Sequence, residues 1–151
     1  MGSDAGKIDA LEIRPFQTDD MSEVVGLWRS CNLTRLWNDP DKDITRKLRV
    51  NPEWFLVAAL GEKIVASIMI GYEGHRGWIN YLAVAIPFRR HGIGTRLMQE
   101  AETILRSVGC AKINLQIRVG SEEELTGFYM GLGFRRDEVV CYGKRLEADK
   151  S

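Results

Sequence analysis

Leu82-Ala83-Val84 is followed by Arg89-Arg90-His91-Gly92-Ile93-Gly94-Thr95, so a strand passes through a basic glycine turn into a helix. That succession of elements suits an anion. The first amides of a helix have no intrahelical partner, and the helix dipole places about half a positive charge beside them. A pyrophosphate would satisfy both. Gly92 and Gly94 carry no side chain that could keep a phosphate from the backbone, and no Ser, Thr, Asp or Asn precedes Gly92 to cap the helix. The bland alternative is that these amides simply meet water. Two common nucleotide loops do not fit. No Gly-Lys-Ser/Thr occurs, Leu97 stands where a dinucleotide fingerprint needs its third glycine, and Ile113-Asn114-Leu115-Gln116 offers no carboxylate for a ribose.

Other reactive side chains are sparse. His75 and His91 lack any Cys or Asp at ligand spacing, so no metal is expected. Cys31, Cys110 and Cys141 are far apart and form no Cys-x-x-Cys, which suggests reduced thiols and a cytoplasmic setting rather than disulfides or zinc. None has an evident basic neighbour to make it a nucleophile. Glu122-Glu123-Glu124 could attract a basic substrate, but acids in a first helical turn are what the dipole favours anyway. Taken by themselves, Phe128 and Tyr129 read as core aromatics on an amphipathic helix.

These groups must be positioned by a chain of 151 residues, 44% apolar and 28% charged. That is the length of one domain, able to bury roughly 68–70% of its unfolded surface. Collagen, coiled coil and wholesale disorder require a stronger compositional bias. No apolar run approaches the roughly 18 residues of a membrane span. Lys plus Arg and Asp plus Glu each number 21, which gives nucleic acid and anionic lipid no general attraction. Residues 1–9 are small and polar and read as a disordered lead-in without a secretory signal, 10–147 as the domain and 148–151 as a tail.

Ala10–Phe16 alternates like a strand. Behind a cap at Asp19 or Asp20, Met21, Val24, Val25, Leu27 and Trp28 recur at helical spacing and stop before Asn32. Trp37-Asn38-Asp39-Pro40 reads as a polar loop, and Ile44–Val50 as a short helix closed by Asn51-Pro52. Trp54–Leu60 and Lys63–Tyr72 flank Gly61-Glu62 as a tight hairpin. Trp78–Val84 is apolar on both faces and therefore central. The stripe Ile93, Leu97, Ala101, Ile104, Leu105 and Val108 predicts a helix over Gly92–Val108, ended by Gly109. Lys112–Val119 predicts a strand, Ser121-Glu122-Glu123-Glu124 a capping box before a helix with a left-handed Gly133, and Phe134 and Val139–Leu146 the last strands. The sum is a single α/β (α+β) domain. Its sheet is mostly antiparallel and twisted, with about six to seven strands and helices on both faces.

Arg89-x-x-Gly92-x-Gly94 resembles the coenzyme A pyrophosphate loop of the GCN-related N-acetyltransferase (GNAT) superfamily. Tyr129-Met130-Gly131-Leu132-Gly133-Phe134 is similar to that superfamily's second signature, at its usual distance. The likeness runs from about Leu11 to Leu146 and is closest to the bacterial YpeA-like group, through Trp37-Asn38-Asp39-Pro40, Gly71–Gly77 and Gly143–Leu146. It implies the GNAT fold, acetyl-CoA as co-substrate, no metal and an amine-bearing acceptor. Leu82, Ala83 and Val84 would lie along pantetheine at a bulge that parts two strands. One amide there would face the thioester carbonyl. Arg89, Arg90, His91, Gly92, Ile93, Gly94 and Thr95 would hold the pyrophosphate. Pro87 stands three residues after Val84 where the family usually has proline two after, which implies a slightly different loop path.

The resemblance also reverses the reading of Tyr129. Its phenol, with a reference pKa near 10, would protonate a departing thiolate whose basicity lies near the roughly 8.5 of a free thiol. Trp37, Asn38, Asp39, Glu73 and His75 fall in loops that rim the acceptor cleft in this superfamily. A general base is not assigned: Trp78-Ile79-Asn80-Tyr81 and Leu115-Gln116-Ile117-Arg118 lack the glutamate that some acetyltransferases of this fold place there. At pH 7 a lysine amine is neutral in roughly one molecule in 10³ and an α-amine in about one in ten, so without a strong base N-terminal or small-molecule amines are favoured, while water chains or Glu73 could still deprotonate a lysine. Direct attack in a ternary complex is the expected route. The rival expectation is a CoA- or acyl-CoA-binding sensor on the same fold. Neither nucleic acid nor membrane is an expected partner, and exposed terminal strands leave room for a homodimer.

Overall fold

The computed structural model describes residues 10–149, and the expected lead-in lies outside them. Five strands form one sheet in the order β1-β2-β3-β4-β5: Glu12–Pro15, Phe55–Leu60, Lys63–Tyr72, Gly77–Val84 and Ile113–Leu115. Neighbours are antiparallel except β4 and β5, which run parallel. A parallel neighbour requires a crossover, and the long helix α3, Ile93–Ser107, supplies it. The other helices are α1 (Met21–Ser30), α2 (Pro40–Lys47) and α4 (Glu122–Gly131).

The sheet separates two cores, as period-two alternation demands of strands covered on both faces. On one face Leu56, Ala58, Ile68 and Ile70 meet Ile93, Leu97, Met98, Ala101 and Leu105 of α3. On the other, Phe55, Val57, Ala59 and Ala83 meet Val24, Val25, Leu27 and Trp28 of α1 and Ile44 of α2. The predicted stripe of α3 is therefore its buried face, apart from Val108, which lies past the helix and is 44% exposed.

Several boundaries differ from the expectations. Instead of Ile44–Val50, α2 begins at Pro40, because proline suits a first helical position and the Asp39 carboxylate accepts from the Asp41 amide at 3.0 Å. Asp20 precedes α1 but does not cap it. Its carboxylate takes both Arg14 guanidinium nitrogens, at 2.7 and 3.0 Å, and the Gln17 amide. Ser121 likewise makes no side-chain cap on α4, so the expected box does not form.

The larger correction concerns strands. The sheet has five rather than six or seven, β5 stops at Leu115 instead of Val119, and neither Phe134 nor Val139–Leu146 is a strand. Val139, Val140, Tyr142 and Leu146 are 76–92% exposed. Apolar residues stabilise a strand only where one face is covered, and no described residue covers this one. Side chains hold the segment instead: Asp137 accepts from Lys112 and Asn114, and Cys141 Sγ from Gln116 Nε2 at 2.7 Å.

Candidate active site

The site begins with an irregularity in β4. Its pairing with β3 steps by one residue between Ser67↔Ala83 and Met69↔Asn80, and Tyr81 at the step has φ +52. A bulky residue rarely adopts a left-handed backbone unless its surroundings impose it. Here they do. Trp28 Nε1 donates to Ser67 Oγ at 2.9 Å, Ser67 Oγ donates to the Tyr81 carbonyl at 2.9 Å, and the Tyr81 ring stacks on Trp28 at 3.7 Å. The Tyr81 hydroxyl donates to Asp43 Oδ2 at 2.6 Å, tying the bulge to α2. Burial, then the bond to Asp43, pushes the Tyr81 phenol up, so it stays neutral and serves as a strut rather than a base.

Beyond the bulge, β4 loses its other neighbour. Gly77–Ile79 pair with Ile113–Leu115 and the ladder then ends, so Leu82 and Val84 have no strand partner on the β5 side. The Ala85 amide bonds to the Val65 carbonyl, and alternation therefore turns the Val84 amide and carbonyl away from β3. That carbonyl is already engaged by Arg89 Nε at 2.9 Å and lies 3.5 Å from Cys31 Sγ. The end of β4 thus fixes the first arginine of the turn.

The turn itself alternates backbone hand, with Arg90 at φ +67 and Gly92 at φ +78, a geometry that aims successive amides into one concavity. Gly92 precedes α3 and no side chain caps the helix. The two glycines serve different ends. A Cβ at Gly92 would meet nothing within 4 Å, so its role is conformational, whereas a Cβ at Gly94 would stand 3.2 Å from Phe128 Cζ. Gly94 therefore lets α4 approach the start of α3. Gly92→Ala should lower stability by about 1–2 kcal/mol and weaken CoA binding, read by urea unfolding and calorimetry. Unchanged values for both would remove the turn from the site.

Phe128 of α4 lies against Gly94 at this helix start, and Tyr129 follows it in the chain. The Tyr129 ring packs edge-on against Phe128 and Phe134, at 5.0 and 5.8 Å between centroids. Burial pushes its phenol up, and no other residue among those described hydrogen-bonds the hydroxyl.

The loop residues divide. Trp37 is exposed, with the Arg118 guanidinium 5.8 Å from its ring centre. Asn38 accepts from Arg145 at 2.6 Å, and Asp39 caps α2. Glu73 and His75 lie at the opposite end of β4, in the β3–β4 turn, where the Glu73 carboxylate accepts from the amides of His75 and Arg76. Five residues of β4 separate this turn from Leu82, roughly 17 Å of strand. The structure does not bring these two together with the others.

Asp149 carries no sequence signal. Its buried carboxylate accepts from the Asp39 amide at 2.9 Å and from Arg46 at 2.7 Å, closing the C-terminal segment over α2. The Arg46 bond above all, then the amide, holds its pKa at about 2. A depressed folded pKa gives stability that is present above the unfolded carboxylate value and lost as pH falls from there through about 2. Acid titration followed by amide exchange at Asp39 should therefore show the latch opening near the low end of that window. Asp149→Asn should open it at neutral pH, and protection unaltered by that substitution would exclude the latch.

Trp28, Ser67, Tyr81 and Asp43 also went unmarked in the sequence. A serine inside Ile64-Val65-Ala66-Ser67-Ile68-Met69-Ile70 was the available signal, because a polar group in a buried strand must have a partner. Among the described residues no group of three or more His, Cys, Asp or Glu side chains converges as metal ligands, and no helix is long and apolar enough to cross a membrane.

Residues 19–134 match the Acetyltransferase (GNAT) family. An acetyltransferase of Sodalis glossinidius is 45% identical over 141 residues, 93% of this chain and 99% of that one. One of Yersinia pestis is 43% identical over 140 residues, with the same coverage. Among solved structures, Ard1 of Thermoplasma volcanium superposes with a TM-score of 0.73 at 27% identity over 83% of each chain. A chain of the NatC complex bound to Gag peptide and CoA superposes with a TM-score of 0.69 at 21% identity, over 85% of this chain and 86% of that one, a likeness of fold. Matched across most of its length by family, relatives and fold alike, the chain belongs to the GNAT acetyltransferase family and is an acyltransferase enzyme.

Proposed function

We propose that the protein moves the acetyl group of acetyl-CoA onto an amine by direct attack, with Tyr129 as the acid. One observation carries this reading: the parting of β4 from β5 beyond Ile79 and Leu115 leads to a helix start that no described side chain caps, and the helix bearing Tyr129 packs there through Phe128. The residues present suit the donor. The Arg90–Gly92 concavity and the first amides of α3 accommodate a pyrophosphate, and the unpaired edge of β4 accommodates an extended amide chain. When bound, acetyl-CoA supplies an activated acyl carbonyl.

The chain's own residues do the rest. An amide at the bulge, near Leu82, faces the carbonyl oxygen and stabilises its developing charge. A bond forms between the amine nitrogen and the acyl carbon while the carbon–sulfur bond breaks. Tyr129 gives its Oη proton to the departing sulfur, the amine proton passes to water, and solvent restores the phenol. Because burial raises its pKa, Tyr129 stays protonated throughout the physiological range. The carboxylate bonded at the bulge is not free. Asp43 is engaged by Tyr81 and Arg46, which favours acceptors whose amines are already partly neutral. The three free thiols suit a reducing, cytoplasmic setting.

The test is thiol release from acetyl-CoA with α-amino peptides, lysine peptides, polyamines, aminoglycosides and amino acids. Turnover with an amine class, greatly reduced in Tyr129→Phe, is the expected result. Faster acetylation of lysine than of α-amines would overturn the acceptor assignment. Tight cofactor binding with no amine acetylated would replace catalysis of this kind by an acyl-CoA-sensing role.

A further inference from the structure

The loop between α1 and α2 turns Trp37 outward, 54% exposed, and the charged side chains bordering it are cationic except for Glu147. A cleft of about 480 Å³ lies on one side, bordered by Arg29, Arg35 and Trp37. A second, of about 660 Å³, is bordered by Trp37, Arg46, Lys144, Arg145 and Glu147. Arg118 reaches over the same ring from the segment that follows β5, past the point where β5 and β4 part. Arg29, Arg35, Arg118 and Lys144 form no ion pair among the described residues.

The nearby acids do not cancel them. Asp149 is taken by Arg46 and Arg145, Asp43 by Tyr81 and Arg46, and Asp39 by the start of α2. Glu147 is the one carboxylate bordering either cleft among the described residues. In a chain with equal numbers of acids and bases this surplus is local, and concave walls concentrate its field. The rim also reaches the bulge: Arg46, which borders the second cleft, bonds to Asp43, and Asp43 accepts from the Tyr81 hydroxyl at 2.6 Å.

We propose that the acceptor is an amine bearing a nearby carboxylate, held by Arg118, Arg35 and Lys144 around Trp37. An acidic amino acid and a peptide with acidic residues just after its free α-amine share this chemistry. The inference rests on the amine-acetylating reading above, because it names what enters that site.

Calorimetric titration in the presence of CoA tests it independently of turnover. C-terminally amidated peptides beginning Met-Glu-Glu and Met-Gln-Gln form one pair, free glutamate and glutamine the other. Whichever pair discriminates identifies the source. The acidic member should bind about tenfold more tightly, as expected for a charge-assisted hydrogen bond. Added salt should narrow the gap. Arg118→Gln and Lys144→Gln should each reduce it while keeping the wild-type melting temperature, and Arg106→Gln, on the outer face of α3, should not. Equal binding within both pairs, a preference for neutral or basic acceptors, or no binding at all would overturn the proposal. Acetylation of neutral amines without acidic preference would leave acyl transfer standing and this inference lost. Acidic amines bound with that preference but never acetylated would leave the carboxylate-binding rim standing and overturn the amine-acetylating reading, and with it their role as acceptors.

Discussion

Tyr129→Phe is expected to lower kcat by about 10²–10⁴-fold, the usual range for loss of a positioned proton donor. CoA affinity should change little, because the substitution keeps the ring between Phe128 and Phe134 and removes only an oxygen that bonds to no other described residue. For the same reason stability should be nearly unaffected. In the wild type, burial raises the phenol pKa, so the alkaline limb of kcat should lie above the ordinary phenol value of about 10. The mutant should lack that limb. Steady-state kinetics across pH with calorimetric CoA binding separates the outcomes: an unaltered kcat would exclude Tyr129 as the acid, and a parallel loss of CoA binding would make it a packing residue.

Trp28→Ala should produce the largest loss of stability, about 3–5 kcal/mol for truncating a fully buried indole. The cost has two sources. One is the cavity left against Phe55 and Tyr81, and the other is the hydrogen bond that anchors Ser67. Ser67→Ala isolates the second. It leaves Trp28 Nε1 without its acceptor and the Tyr81 carbonyl without its donor, a penalty of about 1–3 kcal/mol. Urea unfolding of both variants and the double mutant measures their coupling. If the bulge depends on this network, Ser67→Ala should also weaken acetyl transfer, since Tyr81 loses one of the bonds that hold it at φ +52. A cost below about 1 kcal/mol for Trp28→Ala would contradict the described packing.

How far each element could be read from the sequence depended on how local its cause was. The stripe of α3 and the hairpin around Gly61-Glu62 arise from periodicity and turn chemistry within a few residues, and both stand where they were expected. The C-terminal strands did not. Val139–Leu146 is rich in apolar residues, but pairing also requires a neighbouring edge and a covered face, and neither is a property of the segment itself. The start of α2 was obscured because proline signals both a break and a first helical turn, and the Asp39 cap decides between them.

The sequence by itself determined the glycine turn before a long amphipathic helix, the tyrosine on the next helix and the absence of a general attraction for polyanions. Each depends on residue type and spacing along the chain. Only the tertiary structure decided that β5 ends at Leu115, that Gly94 serves the approach of Phe128, that Ser67 and Trp28 hold the bulge, and that Asp149 closes the C-terminus over α2. Glu73 and His75 share with Trp37 a place in a loop, yet the two groups stand at opposite ends of the site strand. The physical reason is common to all of these. A hydrogen bond or a close approach between residues separated by 14 to 110 positions leaves no periodic trace in either segment. It exists only once two independently formed surfaces have packed.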